Sequence, residues 1–217
     1  MALAIFDLDN TLLAGDSDYL WGQFLVQQQL VDGDWYEQEN RRFYEAYQQG
    51  ELDINAFLSF SLKPLTKMSM TRLQELHQRF MQQYIEPIIL PKAEALLDRH
   101  RQAGDFLLII TATNRFVTEP IASRLGVDDL LATEAEIING HYSGQPSGIP
   151  CFQEGKVLRL NSWLAQTRHD MQGSYFYSDS RNDIPLLEAV THPVAVNPDD
   201  TLAQHAEMRG WEIMSLR

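Results

Sequence analysis

Four short apolar runs, each closed by a distinctive set of polar residues, limit what this chain can become. Leu3-Ala4-Ile5-Phe6 runs into Asp7-Leu8-Asp9, and Phe106-Leu107-Leu108-Ile109-Ile110 runs into Thr111-Ala112-Thr113-Asn114. Ser174-Tyr175-Phe176-Tyr177 runs into Ser178-Asp179-Ser180, and Val194-Ala195-Val196 into Asn197-Pro198-Asp199. Apolar runs without alternation are what strands buried on both faces of a parallel sheet show. Helical signals separate them. Residues 91–100 carry Pro91 in the first turn and Gly104 beyond the end, and 120–125 repeat the pattern with Pro120 and Gly126. Val157, Leu160, Trp163 and Leu164 recur at helical spacing. Alternating strand and helix predict a doubly wound parallel α/β sheet with helices on both faces. Ligands of such sheets bind outside the carboxyl ends of the strands, where these polar residues fall.

Two regions break the alternation. In Ile137-Ile138-Asn139-Gly140-His141-Tyr142 an Asn-Gly between strand residues predicts a tight hairpin. The longer interruption, 15–84, reads as helix throughout: Leu20, Trp21, Phe24 and Leu25 form one stripe, Phe43, Tyr44 and Tyr47 another, and Leu73, Leu76, Phe80 and Tyr84 a third. The expected organisation is a core of residues 1–14 and 86–217 with a helical cap, 15–85, over the strand ends. Hinges are expected near Ala14-Gly15 and Tyr84-Pro87.

Composition narrows the partners. The chain has 217 residues, 44% hydrophobic and 22% charged, which is ordinary for a globular protein. Its longest apolar runs, such as 106–110, are too short to span a bilayer. The first residues meet Asp7 before an apolar leader could form, so no signal peptide is expected. The lone cysteine, Cys151, allows no intrachain disulfide, and cytoplasmic residence is the default expectation. A net charge of −13 with scattered basic residues repels nucleic acid and anionic lipid, so neither is expected as a partner. If the substrate is a phosphate ester, the acidic excess calls for a local divalent cation.

In Asp7-Leu8-Asp9-Asn10-Thr11, an extended segment points Asp7 and Asp9 into one small volume, where two carboxylates need a cation or a shared proton. A solvated turn after a strand is the alternative. The Thr111 hydroxyl with the backbone N–H groups after it can hold phosphate oxygens, or threonine simply ends the strand. Lys156, opening a helix after Glu154-Gly155, suits a transferring phosphoryl group, although most lysines so placed lie on the surface. Asp179 and Asp183 add hard oxygens of the kind Mg²⁺ prefers, and Asp183 also fits a helix cap before Ile184-Pro185-Leu186-Leu187.

Together and in this order, Asp7-Leu8-Asp9-Asn10-Thr11, Ile110-Thr111, Lys156 and Ser178-Asp179-Ser180-Arg181-Asn182-Asp183 resemble the haloacid dehalogenase superfamily of phosphatases across the whole chain. The helical insertion is similar to the C1-type cap of the subfamily holding phosphoserine and histidinol-phosphate phosphatases. The resemblance implies a Rossmann-like core and a small phosphomonoester substrate. Asp7 is then the nucleophile that becomes phosphorylated, and Asp9 protonates the leaving alcohol before activating water. Mg²⁺ is held by Asp7, the backbone carbonyl of Asp9 and Asp179, with Asp183 steadying its waters. Thr111 and Lys156 bind phosphate oxygens.

One departure bears on the substrate. Many phosphoserine phosphatases carry Ser-Gly-Gly where this chain has Thr111-Ala112-Thr113-Asn114, so the glycines that permit close backbone approach are lost. Phosphoserine phosphatases have an acidic residue at the place of Asp16, meeting the substrate amine; Asp16 either does the same or caps the following helix. Arg41 and Arg42 either meet a substrate carboxylate or lie solvated on the cap. Cap aromatics, mostly packing residues, leave one or two to stack on a flat group such as an imidazole. Histidinol phosphate is therefore the first expectation and phosphoserine the second. A phosphotransferase or phosphomutase on the same scaffold is a further alternative.

Overall fold

The computed structural model describes residues 2–217. Its centre is β1 (Leu3–Phe6), every residue of which is buried. Ala4 and Phe6 enter the apolar cluster on one face of the sheet, and Leu3 and Ile5 the cluster on the other. That two-sided burial is why the run lacks polar alternation. Around β1 lie β2 (Phe106–Asn114), β3 (Asp129–Ile138), β4 (His141–Ser147), β5 (Tyr175–Ser178), β6 (His192–Val196) and β7 (Glu212–Met214), in the order β4-β3-β2-β1-β5-β6-β7. All neighbours pair in parallel except the β3–β4 hairpin. The direction of winding reverses between β1 and β5, so a crevice opens between their carboxyl ends.

Helices cover both faces. α5 (Pro91–Ala103) and α6 (Arg115–Leu125) pack Leu96, Leu97, Val117 and Ile121 on the Phe6 face. α7 (Glu154–Leu164), α8 (Ile184–Leu187) and α9 (Asp200–Arg209) pack Leu160, Leu186 and Leu202 on the Ile5 face. The interruption after β1 is helical: α1 (Ser17–Gln27), α2 (Gly33–Gln49), α3 (Ile54–Ser61) and α4 (Met70–Phe80), continued by a π turn at Met81–Ile85. Its two connections to the sheet pair with each other. Ala14 donates its N–H to the Ile88 carbonyl at 2.7 Å, and Leu13 bridges to Ile89. Most of its aromatics are packing: Trp21 is buried against Phe24, Phe80 and Phe116, and Tyr36 stacks on Phe60 at 4.4 Å. Among the described residues no helix is long and apolar enough to cross a membrane.

The structure departs from the sequence reading at three places. β2 does not stop at Ile110 but runs on to Asn114, with irregular register against β3. Thr111 is thus inside the strand. α6 starts at Arg115 rather than at Pro120, because the Asn114 side chain accepts from the Val117 N–H and caps it there. Pro120 sits inside the helix, where it costs one backbone hydrogen bond. The buried first half of β3 and the whole of β7 were not anticipated as strands; only the Ile137-Ile138 end of β3 was, as a hairpin arm. β3 buries only Leu130 to Thr133 and leaves Ile137 and Ile138 exposed, and β7 is a short edge with no buried residue. The Asn139-Gly140 hairpin forms as expected, with both residues at positive φ.

Helices α1 and α2 meet at Gly22. A Cβ there would stand 2.4 Å from Asn40 Nδ2, which donates to the Tyr19 carbonyl at 2.9 Å. Gly22→Ala must therefore push α1 off α2, and the expected loss is about 1–3 kcal/mol of overpacking strain. Urea unfolding checks this; an unchanged midpoint shows that the two helices are not locked together there.

Candidate active site

β1 delivers Asp7 and Asp9 to the crevice. Asp7 is held by its N–H on the Tyr177 carbonyl of β5 at 2.9 Å. Asn10 then takes a left-handed conformation, φ 58°, and Leu12 and Leu13 donate back to the Leu8 carbonyl. This tight loop carries Thr11 beneath the aspartates. The Thr11 hydroxyl donates to Asp179 Oδ1 at 3.0 Å, accepts from the Asp179 N–H at 3.0 Å, and lies 3.4 Å from Asp7 Oδ2. The carboxylates after β1 and β5 are thereby fixed side by side.

Lys156 is fully buried, so the surface reading of this lysine does not hold. Its Nζ donates to Asp7 Oδ1 at 2.7 Å and to Asp183 Oδ2 at 2.8 Å. Asp183 Oδ2 also accepts from the Ser178 hydroxyl at 2.7 Å. Its side chain makes no cap hydrogen bond to α8, so the structure ties it to Lys156 instead of using it as a cap. Local backbone geometry sets the lysine. Gln153 has φ 48°, and a Cβ on Gly155 would stand 2.1 Å from the Pro150 carbonyl, so only glycine lets α7 start this close.

Asp9 is buried and doubly bonded: Oδ1 accepts from the Ser17 N–H at 2.6 Å and Oδ2 from the Thr113 hydroxyl at 2.8 Å. Burial, followed by the charge of Asp16, pushes its carboxyl up to about 7, against the pull of those hydrogen bonds. That is where a group serving alternately as acid and base near neutral pH works best. Burial also raises Asp7 to about 7; Lys156 opposes the rise, while Asp183 and Asp9 add to it. Asp179 is pushed up by burial and by Asp7 and Asp183.

These shifts test the site for a metal. Asp7 and Asp183 share the single ammonium of Lys156, and Asp9 and Asp179 act on Asp7 without a cation of their own, so the cluster is short of positive charge. Two carboxylates with a backbone carbonyl and water is a donor set that suits Mg²⁺, which keeps several waters and takes few protein ligands. The residues present fit such an ion.

Above this cluster lies a cavity whose floor is Asp7, Asp9, Thr111 and Thr113. Its walls come from the helical segment: Asp16 and Asp18 from the start of α1, Asn40, Phe43, Tyr44 and Tyr47 from α2, and Phe57 from α3. Asp16 caps α1, accepting from the Tyr19 N–H at 2.8 Å, and lines the cavity, so both of its readings hold. Its carboxyl is pushed up to about 6, chiefly by desolvation.

Of the two readings of Arg41 and Arg42, the solvated one holds and the substrate-carboxylate one does not. They sit on the solvent face of α2, paired with Glu37 at 3.4 Å and Glu39 at 2.8 Å, and neither lines the cavity. The helical period turns Phe43, Tyr44 and Tyr47 inward and leaves these two outside. Sequence reasoning missed Thr113, Ser17 and Asp18. Thr113 stands in the quoted Thr111-Ala112-Thr113-Asn114. The only other signal was Asp16-Ser17-Asp18, carboxylates two apart at a helix start.

The sequence pattern shared by haloacid dehalogenase-like hydrolases matches residues 4–188, most of the chain. This chain is a haloacid dehalogenase-like hydrolase. A histidinol-phosphatase of Neisseria meningitidis serogroup C (strain 8013) is 45% identical to it over 219 residues, 99% of each chain. Among solved structures, a Bordetella pertussis Tohama I protein of unknown function aligns with a TM-score of 0.93 at 43% identity, covering 100% of this chain and 99% of that one. A substrate-bound phosphoserine phosphatase aligns at 0.73 with 15% identity, covering 100% and 93%, and shares the fold. Family and relatives make this hydrolase a phosphatase.

Two outcomes follow for the hydrolase. Thr113→Val removes a hydrogen bond that holds the Asp9 carboxyl down, so the limb of the pH–rate profile governed by Asp9 moves to higher pH. An unmoved limb refutes that coupling. Separately, burial pushes the Asp7 and Asp9 carboxyls up to about 7 in the folded chain, against an ordinary value of about 4 in the unfolded one. The native state then binds more protons between those values, and stability falls as pH rises through that window. Mg²⁺ should therefore raise Tm more at pH 7.5 than at pH 5; an equal or smaller gain at pH 7.5 contradicts the assigned metal site.

Proposed function

We propose that this phosphatase hydrolyses the phosphomonoester of a small amino alcohol through a phosphorylated Asp7, with histidinol phosphate as substrate. The observation that carries the reading is the character of the cavity above Asp7. It is lined by four aspartates and by aromatic rings, with no Lys, Arg or His among its described lining residues. Such a cavity favours an alcohol that brings positive charge and a flat ring. Phosphoserine, the second candidate, would set its carboxylate among aspartates with Arg41 and Arg42 out of reach.

The residues divide the reaction between them. An Asp7 oxygen attacks phosphorus in line, and the leaving alcohol takes a proton from Asp9. Asp9, now a carboxylate, accepts the proton of the water that attacks the aspartyl phosphate. The Ser17 N–H and the Thr113 hydroxyl keep it aimed through both steps. Thr111 and Lys156 receive the equatorial oxygens, and Lys156 also holds Asp7 in line. Bound Mg²⁺, held by Asp7, the Asp9 carbonyl and Asp179 with Asp183 behind, supplies the charge neutralisation that phosphoryl transfer requires. Residues 15–85 act as the cap that closes over the substrate. Asn182 Nδ2 donates to the Tyr47 carbonyl at 3.1 Å, tying α2 to the loop after β5.

Phosphate release from a panel of esters tests the reading, with and without EDTA and with Asp7→Asn as the blank. Mg²⁺-dependent release is expected, with kcat/KM for histidinol phosphate at least about tenfold above phosphoserine and sugar phosphates, roughly 1.4 kcal/mol of discrimination. Residual turnover in Asp7→Asn removes the nucleophile assignment, and a panel led by sugar phosphates removes the substrate.

A further inference from the structure

The acidic residue matched by the resemblance is Asp16, but the cavity holds a second carboxylate of different character. Asp18 lies in the first turn of α1 and is only 6% exposed. Its Oδ2 is buried and has no hydrogen-bond partner. No neighbouring cation compensates it; the charges that act on it are Asp16 and Asp9, both repulsive. Asp16 is already occupied in part, since its carboxylate accepts from the Tyr19 N–H.

A carboxylate in the first helical turn stabilises the helix macrodipole, and at a surface that would be explanation enough. Burial changes the balance. The helix-end gain is typically below 1 kcal/mol, whereas an unpaired buried charge costs several. A chain that needed only the helix-end gain would leave the carboxylate in water. Asp18 instead lines the cavity, and Asn40, Phe43 and Tyr44 of α2 share that lining. An unsatisfied acceptor buried in the wall of an acidic, aromatic-walled cavity is complementary to a positively charged N–H donor.

Building on the function proposed above, we infer that Asp18 is a specificity-determining residue, receiving a charged N–H of the substrate alcohol beside the one received by Asp16. The substrate class is thereby narrowed to phosphomonoesters whose alcohol carries two basic or N–H-bearing groups and no carboxylate. Asp18 acts on binding of the alcohol and takes no part in phosphoryl transfer.

The test is Asp18→Asn, which keeps the size of the side chain and removes its charge, assayed on three esters. Histidinol phosphate carries two basic, N–H-bearing groups, phosphoethanolamine one, and p-nitrophenyl phosphate none. The variant should lose about 100-fold or more in kcat/KM on histidinol phosphate and less on phosphoethanolamine. Its loss on p-nitrophenyl phosphate should be the smallest of the three, with Asp18→Glu restoring part of the loss on histidinol phosphate. Burial and the neighbouring Asp16 and Asp9 push the Asp18 carboxyl well up, so folding at neutral pH has to protonate it; without that cost, Tm of the empty variant should rise by about 2–4 °C, the shift that roughly 1 kcal/mol gives a chain of this size. Histidinol phosphate selectivity that survives in Asp18→Asn overturns the role of Asp18. So does an equal loss on all three esters with a lowered Tm, which marks a structural residue. The function proposed above fails differently: there the parent enzyme itself shows no preference for histidinol phosphate over p-nitrophenyl phosphate.

Discussion

The site depends on one buried ion cluster, Lys156 between Asp7 and Asp183. Each partner arrives from a different part of the chain: Asp7 after β1, Asp183 after β5, and Lys156 on α7, which crosses behind them. Bringing all three out of water is expensive, and their mutual attraction offsets that cost only if the geometry is good and the remaining lone pairs are satisfied. Here they are. The second lone pair of Asp183 Oδ2 meets Ser178, and Asp7 Oδ2 lies against Thr11. A hydrophobic triple could stabilise the crevice equally well, so the cluster is best understood as placement of the nucleophile. The left-handed Gln153 and the close approach at Gly155 then make sense as local strain held in place by that cluster.

What the ammonium does not balance defines the rest of the chemistry. One lysine against the carboxylates of Asp7, Asp9, Asp179 and Asp183 leaves room for a divalent ion at the phosphate end of the cavity. Asp16 and Asp18 extend the same negative field to the alcohol end. The acidity of the whole chain, −13, thus has a local counterpart. In the function proposed above, a phosphate dianion enters only with compensating cations, and an anionic alcohol is opposed by the same field. The helical segment encloses this field, and low dielectric strengthens every charge in it.

Much of this was legible from sequence because strand ends carry it. Asp7, Asp9 and Asp179 follow apolar runs that could only be buried parallel strands, and that placement alone sends them to one edge. Lys156 was legible as a helix-opening residue, but its burial was not, since nothing local distinguishes it from a surface lysine. Thr113 was hidden by a misjudged strand end: with β2 ending at Ile110 it falls in a loop, and with β2 running to Asn114 it faces Asp9. Arg41 and Arg42 show a different case. Charge alone left a carboxylate partner and a solvated face both open, and the helical phase, fixed by Phe43 and Tyr44 packing inward, put both residues outside. Asp18 depended on the angle at which α1 leaves the loop, a tertiary fact with no sequence period of its own.

The segment Asp16-Ser17-Asp18 joins the two halves of the cavity. Ser17 donates its N–H to Asp9, while the residues on either side of it line the alcohol end. Asp16 is the leading charge that raises the Asp9 carboxyl, second only to burial. In the function proposed above, a substrate cation arriving at Asp16 offsets that charge, and the Asp9 carboxyl becomes a stronger acid. That change favours proton transfer to the leaving oxygen when a cationic alcohol occupies the cavity, and leaves Asp9 a poorer donor when a neutral one does. Selectivity then resides in kcat as well as in binding, because the same two-residue spacing that recognises the alcohol also sets the field at the proton donor.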